Sequence, residues 1–296
     1  MRIPRSKWLW LATFLVLVIA TWLGLSGAAV WEMTRRQEPV RSEPPPHVTW
    51  GTLEPLRLDT SDGESLGAWL VRGKPSGACV VLLHGLDNCR AEMLPIMQFL
   101  AGKETTCMAI DLRAHGDSTG DSLDFGYSSR LDVVAAVEFL EDEFPTQPVF
   151  VLGRSMGAAA ALFAAEELGE RVHGYFLEAP YKDLGSEAWK RVQRDLPPVV
   201  DTIAYAGMWI SAHAILPASP GRISPRDHAR HVPQEVPIVL VTGSNDGQLP
   251  PEEVRTVFEP VRSHAAFVVF EGAGHADLHE HDSARYETLL LDLITD

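Results

Sequence analysis

The stretch VFVLGRSMGAAAALFAAEEL, residues 149–168, places a serine between two glycines at the point where a short apolar run gives way to an alanine-rich helical pattern. A strand that turns directly into a helix strains the corner residue, and the strain has a use: the hydroxyl of Ser155 then projects clear of the backbone. Gly153 and Gly157 supply the room, since a Cβ at either place would crowd the neighbouring chain. The turn also aims the first N–H groups of the new helix at whatever the serine attacks, so an anionic intermediate meets the positive end of a helix. A bare G-x-S-x-G is common by chance; the strand before it and the helix after it are what the motif's mechanics demand.

Partners for the serine lie downstream, at the ends of two further apolar runs. PIVLVTGSNDGQLPPEE, from residue 237, is broken by Gly243 and followed by Asp246, and AAFVVFEGAGHADL, from residue 265, is broken by Gly272 and Gly274 and followed by His275. Ser155, Asp246 and His275 then read as nucleophile, orienting acid and general base. Glu178, at the end of the run YFLEAP, stands as the alternative acid. His115 precedes the serine inside DLRAHGDS and reads as a histidine in a structured loop. His279 and His281 open the last helical segment and read as solvated or capping residues, while Asp227, His228 and His231 read as surface loop. Upstream, ACVVLLHGLDN is a buried strand ending in His84 and Gly85. A tetrahedral oxyanion needs two preorganised donors, and the backbone N–H groups of Leu86 and Met156 are the candidates. No metal-ligand spacing stands out.

With these residues in hand, the chain resembles the α/β-hydrolase superfamily, and within it the branch of serine aminopeptidase-like and monoacylglycerol-lipase-like hydrolases. The matching stretches are HGLDNCRAEML (84–94), AIDLRAHGDSTG (109–120), GRSMG (153–157), TGSNDGQLP (242–250) and GAGHADL (272–278). The resemblance implies serine hydrolase chemistry with no cofactor or metal. It leaves open whether an ester, thioester or amide is cleaved, or an acyl group transferred, because one frame hosts all of these. An inactive binding protein on the same fold is the opposing reading. Members of the family usually carry glycine where this chain has Ala114.

The alternation of elements supports an α/β class. Strands are expected near 51–58, 66–72, 79–84, 105–111, 147–152, 173–178, 237–242 and 265–270. Helices are expected near 89–102, 128–143, 155–169, 250–259 and 279–294. Together they predict a mostly parallel eight-stranded sheet with helices on both faces, spanning 49–296. Between Pro180 and Pro237 the alternation stops, and a helical cap is expected at about 181–236. The segment PPVVDTIAYAGMWISAHAIL is poor in charge. Its apolar side chains read either as a lid whose Met208, Trp209 and Ile210 contact an acyl or lipid-like substrate, or, the reading we favour, as packing of the cap onto the core.

The amino terminus is different in kind. From Trp8 to Trp31 no charged residue occurs, a run of 24 between Lys7 and Glu32; about 20 suffice to cross a bilayer as a helix. Arg2, Arg5 and Lys7 precede the run, and tryptophans at 8, 10, 22 and 31 cluster toward its ends like an interfacial belt. Arg35 and Arg36 weaken the charge asymmetry, yet the basic start favours a cytoplasmic amino terminus. Residues 1–36 are therefore expected to be a single-pass anchor in the cytoplasmic membrane with the catalytic domain outside the cytoplasm. The alternative is a secreted protein whose signal is cleaved after Ser26-Gly27-Ala28. QEPVRSEPPPHV, 37–48, is a Pro-rich spacer. A net charge of -15 argues against nucleic acid as a partner. Three cysteines are too few for a disulfide framework, and Cys79 and Cys107 are expected as buried thiols on neighbouring strands. The expected partners are a small-molecule acyl ester and, through the first helix, the membrane; oligomeric state is left open.

Overall fold

A computed structural model describes residues 5–37, 40, 44–275 and 278–295. Arg2, part of the expected spacer (38, 39 and 41–43) and residues 276–277 of the GAGHADL stretch lie outside the described residues.

The chain begins with a long helix, α1 (Arg5–Thr34), and then enters the sheet through β1 (Glu54–Asp59), β2 (Ser65–Val71) and β3 (Cys79–Leu83). Alternation follows: α2 (Leu94–Gly102), β4 (Thr106–Ile110), α3 (Arg130–Glu143), β5 (Val149–Arg154), α4 (Met156–Leu168) and β6 (Val172–Glu178). Three helices then run without a strand, α5 (Leu184–Asp195), α6 (Val200–Ile215) and α7 (Pro225–Ala229). The chain closes with β7 (Ile238–Gly243), α8 (Pro251–Phe258), β8 (Ala265–Phe270), α9 (Leu278–His281) and α10 (Ser283–Thr295).

The eight strands form one sheet in the order β1-β2-β4-β3-β5-β6-β7-β8. β1, β2 and β4 pair antiparallel, and every pairing from β4 through β3 to β8 is parallel. The central strands are apolar on both faces, as a sheet covered on both sides requires. Side chains alternate between two cores: Cys79, Val81 and Leu83 of β3 point to one, and Val80 and Leu82 to the other. The first core is completed by α3 and α4 and the second by α2 and α10. Cys79 and Cys107 lie buried on the adjacent β3 and β4.

Helix α4 explains the alanine run. Ala158 through Ala161 are fully buried, so the helix that follows Ser155 is covered on all sides there and small side chains let it pack closely against its neighbours. Two expected helices are broken. The segment from 89 begins as a 3-10 turn, Arg90–Met93, because Pro95 follows at the start of α2; the last segment breaks at Asp282, between α9 and α10.

Two histidine readings are corrected by the packing. His279 is not solvated: its side chain is 13% exposed and its Nε2 lies 3.1 Å from Glu287 Oε1. Asp227 and His228 belong to α7 rather than to a loop, and the His228 ring meets Phe163 edge-on at 4.9 Å.

Candidate active site

Ser155 sits at the corner between β5 and α4 with φ 51° and ψ -110°, a conformation L residues rarely adopt. The backbone around it is pinned. Ser155 N–H donates to the Glu178 carbonyl at 2.7 Å, and the Ser155 carbonyl accepts from Ala159 N–H at 3.0 Å. A Cβ on Gly153 would come within 2.6 Å of Ala158 N, and one on Gly157 within 2.6 Å of the His84 carbonyl oxygen. Both glycines are thus demanded by close backbone approach.

Beyond β8, His275 reaches back to this corner. Its Nε2 lies 3.0 Å from Ser155 Oγ and its Nδ1 2.6 Å from Asp246 Oδ2. With the ring neutral, Nδ1–H donates to the carboxylate, which leaves Nε2 to accept the serine proton; the tautomer follows from the partners. Asp246, in the loop after β7, accepts with its other oxygen from the N–H groups of Gln248 (2.9 Å) and Leu249 (2.8 Å). Burial pushes its carboxyl up, but hydrogen bonds from His275 and those two amides outweigh it and hold it below the usual carboxylate range. A charged acceptor at this place fixes the imidazole and favours the imidazolium.

Glu178, the alternative acid, faces elsewhere. It is fully buried, 3.1 Å from Arg154 Nε, and accepts from the Tyr286 hydroxyl at 3.1 Å. Burial pushes its carboxyl up and Arg154 only partly reverses this.

Leu86 and Met156 line one cavity with Ser155 and His275. Met156 is the first residue of α4, where N–H groups have no acceptor within the helix. The loop after β3 passes beside Ser155: a Cβ on Gly85 would lie 3.7 Å from Ser155 Cβ. His84 holds that loop as a buried neutral histidine, donating from Nδ1 to the Gly85 carbonyl (2.7 Å) and accepting at Nε2 from Leu112 N–H (3.0 Å). Burial lowers its pKa to about 4. His115, stacked edge-on against it at 5.0 Å, is lowered to about 4 by the same cause.

The sequence reading missed two residues here. Glu92 Oε2 accepts from Gly85 N–H at 2.9 Å, and its Oε1 meets Arg154 Nη1 at 3.1 Å, so one ion pair ties the loop after β3 to the strand that leads into Ser155. Arg154, a cation ending a buried strand, was the available signal, because a buried charge requires a partner.

The cavity holds about 770 Å³. Of the three cap residues singled out, Met208 and Trp209 line it, with the Trp209 ring stacked on Tyr205 at 5.8 Å. Ile210 does not; it is 53% exposed on the far side of α6. The correction is geometric, since successive helical residues are turned by about 100° and three in a row cannot share one wall. The cavity is also lined by Val30, Met33 and Thr34 at the end of α1, a contribution that nothing in the local sequence pattern announces.

Comparison with known proteins fits this architecture. The family model for serine aminopeptidase S33 matches residues 74–215, a stretch that contains Leu86 and Ser155 and stops before Asp246 and His275. Human monoglyceride lipase is 31% identical over 128 residues, 42% of this chain and 42% of that protein; the mouse monoglyceride lipase is 30% identical over the same length. The matched region thus spans less than half of these curated relatives. Among solved structures, an esterase from Pyrococcus furiosus superposes with a TM-score of 0.66 at 20% identity, covering 87% of this chain and 98% of that one. An esterase from Exiguobacterium antarcticum gives 0.60 at 18%, covering 81% and 99%.

Proposed function

We propose that the chain is an α/β hydrolase on the serine aminopeptidase and monoglyceride lipase side, a membrane-anchored serine hydrolase cleaving carboxylic esters through an acyl-enzyme. The observation that carries the reading is the continuous hydrogen-bonded series Ser155–His275–Asp246 bordering the 770 Å³ cavity. Ser155 Oγ attacks the acyl carbon as its proton passes to His275 Nε2. Asp246 stabilises the imidazolium so formed, and the N–H groups of Leu86 and Met156 stabilise the oxyanion. Collapse expels the alcohol, protonated by His275. Water, deprotonated by the same nitrogen, then attacks the acyl-enzyme and releases the acid. Thioester, amide or acyl-transfer chemistry would use the same groups; the identity with monoglyceride lipases favours the ester.

Anchoring is the second half of the proposal, with residues 1–36 as the anchor, 37–48 as spacer and 49–296 as the catalytic domain held outside the cytoplasmic membrane. It is supported by the apolar outer surface of α1, where Trp10 is 76% and Leu25 70% exposed.

Labelling by a fluorophosphonate probe, lost in Ser155→Ala, with turnover of p-nitrophenyl esters, tests the chemistry; absence of both would overturn it. Fractionation tests the anchor. Full-length protein is expected in the membrane pellet after high-salt washing, because apolar insertion is not screened by ions. A soluble form beginning near Ala29 would replace the anchor with a cleaved signal.

A further inference from the structure

Helix α1 does not stand apart from the body. Its second half lies along α6, where Trp22 Nε1 donates to the Ile203 carbonyl at 3.1 Å. Small residues let the two backbones close: a Cβ on Gly207 would meet Ser26 Oγ and come within 2.8 Å of the Trp22 indole, and one on Gly27 would lie 3.8 Å from Ser211 Oγ. Val30 and Thr34 are buried, and Val30 joins the main core. The exit from α1 is clamped as well. The Thr34 carbonyl accepts from Leu123 N–H at 2.5 Å, Arg36 N–H donates to the Asp121 carbonyl at 2.8 Å, and the Arg36 guanidinium donates to the carbonyls of Ser118 (2.6 Å) and Gly116 (2.7 Å). Held at both places, the last turn of α1 presents Val30, Met33 and Thr34 to the cavity that contains Ser155, across from Met208 and Trp209 of α6.

The contact also sets a depth. Trp22 through Val30 are the closing part of the uncharged run, so a helix docked against them lies at the level of the bilayer rather than above it. α6 is suited to that level. Beside its contact with α1 it leaves Val200 (48%), Ile203 (53%) and Ile210 (53%) exposed, with Val199 (69%) just before it, apolar surface that costs nothing when it faces lipid.

We propose that the last turn of α1 is a specificity-determining wall of the substrate site, and that the acyl chain of a bilayer-resident ester lies in the cavity that α1 and α6 both line, with Met33 bounding its length. The proposal rests on the reading of Ser155 as the nucleophile of an ester hydrolase. The membrane helix then has two roles: it holds the enzyme at its substrate's phase, and it forms one side of the groove in which that substrate is measured.

The test uses full-length protein in detergent micelles and p-nitrophenyl esters from acetate to palmitate. In Met33→Trp the added ring fills the wall, and kcat/KM for the long esters is expected to fall roughly tenfold or more against acetate, the loss of about two buried methylenes. Met33→Ala is expected to move the optimum toward longer chains, and Gly207→Val, which drives α1 off α6, to flatten the profile. Leu15→Ala, in the part of α1 remote from α6, is expected to leave the profile unchanged. Fluorophosphonate labelling of Ser155 is read in every variant, because it does not depend on chain length. An unlabelled, inactive wild type would defeat the hydrolase reading itself. A labelled enzyme whose chain-length profile is the same in wild type, Met33→Trp and Met33→Ala would overturn the wall.

Discussion

The floor and the roof of the cavity are built on opposite principles. The floor is backbone fitted to backbone: two glycines with no room for a methyl, a serine held at φ 51°, and loops tied by buried ion pairs. The roof is apolar side chain laid on apolar side chain, α1 against α6, with small residues at the crossing and wide exposed flanks. A floor of this kind fixes positions to a fraction of an ångström, as proton transfer requires. A roof of this kind fixes only shape and polarity, and in the proposed anchored state its outer surface faces lipid. In that proposal the chemistry is specified inside the domain, and the substrate partly by the phase in which the domain sits.

The comparison is broken most severely at the floor. Ser155→Ala and His275→Ala should each lower kcat by several orders of magnitude with the fold intact, because the three residues act as a unit. Asp246→Asn should be severe as well, and steady-state kinetics on folded protein checks all three. Near wild-type turnover in His275→Ala would remove the floor from the account, and a greater loss in Glu178→Gln than in Asp246→Asn would mean the acid is misassigned.

A smaller effect is expected at the roof. Trp209 is only half-buried and stacked on Tyr205, so Trp209→Ala should lower kcat/KM for long acyl esters several-fold more than for acetate, at a stability cost below the roughly 3–5 kcal/mol of a core tryptophan. A flat chain-length profile with a strongly lowered thermal midpoint would make this residue part of a floor-like core.

Between the two regions, α5 meets α8 through Glu187, Glu253 and Lys190 beside the cavity. Burial, and then the Glu253 carboxyl, push Glu187 up to about 8 from an ordinary 4.5. The folded state thus holds a proton that the unfolded chain gives up, so this group's contribution is full below about pH 4.5 and is lost as pH rises through about 8. Glu187→Gln, which is neutral at every pH, should flatten the fall in thermal midpoint between pH 5 and 8. An unchanged slope would show that the pair does not couple to folding.

Smallest of all is Ala114→Gly. Ala114 is held at φ 61°, where a Cβ costs about 1 kcal/mol, so placing there the glycine usual in the family the chain resembles should raise stability by about that amount, seen as a shift in the denaturation midpoint without change in kcat. No gain would mean that its Cβ contacts offset the strain.

What the sequence revealed divides along the same line. All eight strands were legible to within three residues; the central ones are buried on both faces and so must be continuously apolar and then end in a turn, while the edge strands β1 and β8 are only partly buried. Ser155, Asp246 and His275 were legible because the motif fixes one and strand ends fix the others; their mutual distances were not. The Glu92–Arg154 tie was hidden, since nothing in either local pattern names the other. The seam between α1 and α6 was hidden for a deeper reason. A helix apolar on every side reads the same whether a given side meets lipid or protein, so neither the buried Val30 nor the exposed Leu25 announces itself. Ile210 went astray through treating neighbours in sequence as neighbours on a surface.

The tie beneath the floor reaches farther than the pocket. Tyr286 of α10 bonds Glu178, Glu178 pairs with Arg154, Arg154 with Glu92, and Glu92 with the amide of Gly85. Four links run like a tension rod from the carboxyl-terminal helix to the loop that offers Leu86. Stress applied to that helix would arrive as a change in how well a developing negative charge is received, about 200 residues upstream of Tyr286 along the chain and only four contacts away in space.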